Sequence, residues 1–267
     1  MKIISKLYIA LIIFFLYAPI LVMVLFSFNS SPSTSVFEGF SLHWYAELLG
    51  NSNVLTALGN TLILALSSAA IATVLGSSAA VGIFSYKKKW TKQTIMSVTN
   101  IPMMNPDIVT GISMMLLFVF FGRILAMRNS LSFLTLLIAH VTFNIPYVIL
   151  SVMPKLGQLD KHLSEAALDL GCTPVKAFFK VILPSISSGI VIGFIMSFTL
   201  SLDDFVISYF TTGPEFQTLP LLIYSMTKRR VTPDMYALST IMFLTILLLL
   251  ILFNFAQSRA NRKKAKR

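Results

Sequence analysis

Three carboxylates stand inside segments that are otherwise apolar: Asp107, Asp203 and Asp204. A carboxylate near the centre of a bilayer costs about 2.5–3.5 kcal/mol on insertion scales. No Lys or Arg lies in the same segments to pair with them. Acids so placed either take up a proton or face a wet cavity that meets a cation. On a helix, Ser197, Ser201, Asp204 and Ser208 recur at i, i+4, i+7 and i+11 and form one polar stripe, with Asp203 turned about 100° from it. The expectation is that Ser201 and Asp204 face a pathway, with Asp203 at its edge or at a subunit boundary. Spaced acids with aromatic walls such as Trp44 and Tyr224 suit a flexible chain of ammonium groups. The methylenes of such a chain need apolar contact, and its charges are drawn to aromatic faces. Trp44 reads equally as an interfacial anchor. Asn105-Pro106-Asp107 also reads as a helix start, with a cap, a first-position proline and an acid at the positive dipole end. Structure and substrate contact therefore stand side by side for Asp107.

Other chemistry has little to work with. His140 reads as a hydrogen-bonded packing residue inside a span, and His43 and His162 as superficial. Cys172 is the single cysteine, so no internal disulfide can form, and no His, Cys and carboxylate spacing suggests a metal site. Two aspartates sharing a proton can cleave a peptide, but the G-x-G-D pattern of intramembrane aspartyl proteases is missing. No G-x-x-x-x-G-K-[ST] is present to cradle ATP phosphates. No catalytic residue is expected.

The elements that carry these residues follow from composition. Of 267 residues, 56% are hydrophobic and 12% charged, against about 25% charged in an average soluble domain. A bilayer core needs about 20 apolar residues per helix. Six stretches qualify: Leu7–Phe28, Thr61–Phe84, Ile95–Phe121, Leu131–Met153, Ser185–Ile207 and Tyr236–Phe255. The first is too long for a signal h-region and lacks a cleavage site, so it reads as a retained helix. With the N-terminus inside, sixteen Lys and Arg fall on the inner segments and five on the outer ones, which places both termini in the cytoplasm. This pattern accounts for the net charge of +11 without nucleic acid. The expectation is one all-α, polytopic domain spanning 1–267, with a core at 55–258 and a basic tail at 259–267.

The loop between spans four and five, within 154–184, is the most informative. Leu163, Ala166, Ala167 and Leu170 give a short helix with one apolar face. Gly171 fits its C-terminal cap. Thr173 then caps a second helix with Pro174 at its first position, and Pro184 marks passage into span five. An apolar surface turned to the cytoplasm needs membrane or a partner to cover it.

This loop resembles the E-A-A motif of type I ABC importer permeases: E-A-A, three residues, G, nine residues, then I-x-L-P. Glu165, Ala166, Ala167, Gly171, Leu183 and Pro184 match, and Val181 departs conservatively. Further segments are similar to the polyamine permeases of that family: F-N-S-S from Phe28, M-N-P-D-I-V at Met104–Val109, H-V-T-F-N-I-P at His140–Pro146, F-T-L-S-L-D-D at Phe198–Asp204, and L-P-L-L-I-Y-S-M at Leu219–Met226. The resemblance implies a permease subunit of the bacterial cell membrane that pairs with a second, homologous permease. Two ATP-binding subunits dock at the loop and hold the ATP, and an external substrate-binding protein docks on the other side. Spermidine or putrescine is the implied solute. Another small solute in the same architecture is the alternative. An ion-coupled secondary transporter would leave the loop unexplained.

Overall fold

The computed structural model describes residues 2–33, 36–86, 88–126, 129–160, 162–228 and 232–265. Lys87, Arg128, Lys161, Arg229, Arg230, Lys266 and Arg267, counted above among the charges, lie outside the described residues. The described chain is helical, without strands. It comprises α1 Lys2–Phe26, α2 His43–Gly50, α3 Ser52–Ser85, α4 Lys89–Met104, α5 Asp107–Ile124, α6 Phe133–Gly157, α7 His162–Asp169, α8 Pro174–Ala177, α9 Leu183–Asp203, α10 Val206–Thr211, α11 Leu219–Thr227 and α12 Pro233–Ala265. A π-helical turn, Phe178–Ile182, joins α8 to α9.

Six helices among the described residues are long and apolar enough to cross a membrane, in the six places expected. Several boundaries differ from the sequence reading: α3 starts at Ser52 and not at Thr61, α12 extends beyond Tyr236–Phe255 at both ends, and the third and fifth stretches differ in kind. The third stretch is two helices, α4 and α5, because Pro106 cannot donate and Asn105 turns extended at the end of α4. The fifth does not start afresh at Pro184. It runs without a break from Pro174, and the π-helical turn just before Pro184 accommodates the ring and the missing N–H. At its other end it stops at Asp203, four residues short of the expected limit.

Contacts divide the chain into two compact units, each discontinuous in sequence. One comprises Met1–Leu58 and Leu219–Leu248, the other Gly59–Thr218 and Leu249–Arg267. In the first unit, Leu48, Val54, Ala57, Leu219, Ala237 and Leu238 form the core. No residue in the spanning window of α1 is buried there. In the second, α6 is central: half of its spanning window is buried, and it packs most extensively on α9. Small residues make that contact close. A Cβ on Gly189 would meet the Ser151 carbonyl at 2.8 Å, one on Gly193 the Val148 Cα at 3.2 Å, and one on Gly76 of α3 the Val148 Cβ at 2.7 Å. Within a membrane, helices associate by such packing, because lipid tails remove the hydrophobic drive between them.

Candidate functional site

The break between α9 and α10 is built from side chains around it. Asp204 leaves the helix with extended dihedrals (φ −64°, ψ 124°). Its carboxylate accepts from the backbone N–H of Ile207 at 3.2 Å and of Ser208 at 2.8 Å, closing the first turn of α10. His140 of α6 spans the break. Its Nδ1 lies 3.1 Å from Ser201 Oγ, its Nε2 3.0 Å from Ser208 Oγ and 3.5 Å from an Asp204 oxygen. Ser201 Oγ also accepts from Asn144 Nδ2 at 2.8 Å and from Ser68 Oγ at 2.9 Å. Its own proton is then left for His140 Nδ1, which assigns the ring proton to Nε2, facing Ser208 and Asp204. Ser68, His140, Asn144, Ser201 and Ser208 are all buried.

This arrangement reverses one expectation. Ser197, Ser201 and Ser208 do share a face, but that face packs inward on α6 and does not open to a pathway. Asp204 is held by the cluster, its side chain 10% exposed. Asp203, the last residue of α9, is the exposed acid. The physical reason is the helix end: past Asp203 the 100° rotation per residue no longer applies. Asn144 Oδ1 and Ser197 Oγ, both buried, have no protein partner among the described residues. Asn144 and Ser68 escaped the sequence reading, because nothing local marks them as partners of Ser201.

Asp107 lies in the first turn of α5 and is exposed. The Pro106 carbonyl accepts from Val109 and Thr110, and the Asn105 amide donates to the Thr110 hydroxyl at 3.2 Å. Beside Asp107, close enough to act on each other electrostatically, is the half-buried Tyr147 of α6. The Tyr147 ring tilts against Phe143 at 5.4 Å, and both belong to an apolar cluster that includes Ile207 and Leu200. One turn further along α6, Ser151 touches the exposed Met196 of α9 at 3.7 Å.

Trp44 is placed otherwise. Its indole N–H donates to the Asn29 carbonyl at 2.7 Å, and its ring packs on the core of the first unit. The buried Asn29 organises the following loop. Its amide donates to the Ser33 and Val36 carbonyls, and its oxygen accepts from Glu38 N–H at 2.9 Å. Tyr224 lies on α11 with the Lys228 ammonium 4.7 Å from its ring centre.

The loop after α6 has the expected turn. Gly171 takes φ +82°. Cys172 N–H donates to the Ala167 carbonyl at 3.0 Å and Gly171 N–H to that of Leu168 at 2.9 Å, a Schellman cap. Thr173 Oγ accepts from Lys176 N–H, with Pro174 at the first helical position. Glu165 is exposed and 2.9 Å from His162 Nδ1. Ala166 is exposed and Ala167 buried. Leu183 and Pro184 lie inside the continuous helix. Leu170, Val175 and Phe179 are exposed around the turn, at 87%, 66% and 58%. So much apolar area on a short, well-capped element is what a docking surface requires. Among the described residues no group of three His, Cys, Asp or Glu is arranged to hold a metal.

Residues 72–266 match the protein family described as binding-protein-dependent transport system inner membrane component. The chain is 37% identical over 252 residues to the putrescine transport system permease protein PotI of Escherichia coli (strain K12), covering 94% of this chain and 90% of that protein. It is 39% identical over 237 residues to the spermidine/putrescine transport system permease protein PotC of the same strain, covering 89% and 87%. Among solved structures, a chain of a bacterial ABC transporter involved in the import of the acidic polysaccharide alginate superposes with a TM-score of 0.74 at 14% identity, covering 98% of this chain and 95% of that one. A chain of the MetNI methionine ABC transporter superposes with a TM-score of 0.61 at 17% identity, covering 80% and 98%. At these identities the structural likeness speaks for the fold.

Proposed function

The chain belongs to the family of binding-protein-dependent transport system inner membrane components, and from that premise we propose that it forms half of the translocation pathway of an ATP-driven polyamine importer. It is a multi-pass membrane protein and a transport component, not an enzyme. The observation that carries the solute reading is the pair of exposed acids, Asp107 and Asp203, beside an apolar and aromatic surface on α6 and α9. A membrane protein keeps unpaired carboxylates of this kind where a cation passes. The two relatives named for putrescine and spermidine support the same solute class.

In this reading the chain sits in a bacterial inner membrane with both termini in the cytoplasm. A second, homologous permease completes the pathway. Two ATPase subunits bind the exposed apolar cap formed by α7, α8 and the π-helical turn, and they alone hold ATP. A binding protein delivers the solute from outside. Closure of the ATPases moves the cap, α9 moves with it, and the acids at its far end change their access.

The test is uptake of labelled spermidine and putrescine in import-deficient cells expressing this chain with its genomic partner subunits. Uptake by wild type supports the reading. An assembled complex that hydrolyses ATP but moves neither solute removes polyamines and leaves the permease assignment standing.

A further inference from the structure

Tyr147 of α6 stands beside Asp107 and shares an apolar cluster with Leu200 of α9. Its ring and Leu200 both pack against the cluster of Ala139, Phe143 and Ile207. Leu200 precedes Asp203 by three residues on the same continuous helix, so the two lie on one flank of α9. Asp107 acts on the phenol electrostatically from the start of α5. Ser151 and Met196 extend the same surface one turn toward the other end of α6. A half-exposed aromatic face beside Asp107, on a wall of Phe, Met and Leu that α9 continues toward Asp203, suits a ligand that is cationic at intervals and apolar between.

We propose that Tyr147 is a specificity-determining residue of the polyamine pathway. Its π-face receives the methylene and ammonium segment of a solute whose charges pair with Asp107 and Asp203. The inference rests on the polyamine reading and deepens it. Asp107 and Asp203 select charge, whereas Tyr147 selects for an alkyl chain between charges. A hydrated inorganic cation gains nothing from such a wall.

The role predicts a particular kinetic signature. In a binding-protein-dependent importer, half-saturation is governed by capture outside the membrane. A residue in the pathway acts instead on the rate at saturation and on solute moved per ATP. The experiment uses the full complex with its binding protein in proteoliposomes, measuring spermidine transport and ATP hydrolysis together for wild type, Tyr147→Phe and Tyr147→Ala. The expected result is that Tyr147→Ala loses about tenfold in transport at saturating spermidine, the scale of one desolvated cation–π contact. Its ATP hydrolysis stays within about twofold of wild type, so the cycle runs unproductively, and Tyr147→Phe keeps most of the transport. Full transport by Tyr147→Ala overturns the inference alone. A parallel loss of transport and ATP hydrolysis also overturns it, because that is what a packing residue gives. Wild type that hydrolyses ATP and moves no polyamine overturns the polyamine reading and this inference with it.

Discussion

At the scale of single residues, Asp203 and Asp204 are adjacent in sequence and opposite in circumstance. Asp203→Asn removes a charge from an exposed helix end. The complex should assemble normally, with polyamine uptake falling about tenfold, equivalent to ~1.4 kcal/mol at the barrier. Asp204→Ala removes the acceptor for two backbone N–H groups at the start of α10. Its effect should appear first as lost stability, about 1–3 kcal/mol, read as a lower melting temperature of the purified complex. His140→Leu takes the ring partner from Ser201 and Ser208 and should likewise lower the melting temperature, the loss of buried partners costing about 1–3 kcal/mol of stability. The acids themselves were legible in the sequence, since charge in an apolar run stands out. Which of them is held inside was not. The stretch Leu200–Ile207 contains no Gly or Pro to announce a break, and the residue that bridges it, His140, comes from about sixty positions upstream.

At the scale of elements, the local signals were read best where they are local in cause. Gly171, Thr173 and Pro174 dictate a cap, a turn and a restart through their own dihedral preferences, and the structure has all three. Gly171→Ala puts a Cβ on a left-handed residue at a cost of about 1–2 kcal/mol. The expected outcome is weaker retention of the ATPase subunit in pull-down, with the spans intact. Pro184 reads as a boundary, because a proline removes a helix donor. The π-helical turn ahead of it lets the helix run on through the proline, an accommodation that no single-residue rule contains. The α6–α9 contact makes a sharper demand. Gly189→Ala would set a methyl 2.8 Å from the Ser151 carbonyl, and overpacking of that kind costs about 1–3 kcal/mol. Reduced membrane abundance, measured by immunoblot against an exposed-site control, is the expected result.

At the scale of the whole chain, six spans and their order follow from apolar runs alone, because a bilayer imposes one length on every crossing. The distribution of Lys and Arg predicts their direction, and Cys172 gives a direct check. It is the single cysteine and sits partly exposed in the turn after Gly171. An impermeant maleimide should label it in inside-out vesicles and not in intact cells, and docking of the ATPase subunits should slow the labelling. One further property belongs to α8, the π-helical turn and α9 taken together. From Pro174 to Asp203 they form 30 residues of unbroken helix, roughly 45 Å at 1.5 Å per residue. A strut of that kind transmits force along its axis but cannot change its own length. Spin labels placed at Val175 and Thr199 should therefore keep one separation in every nucleotide state. The separation from either label to the partner permease should be the quantity that varies, so the two ends of the strut act as a ruler against which the rest of the transporter's motion can be gauged.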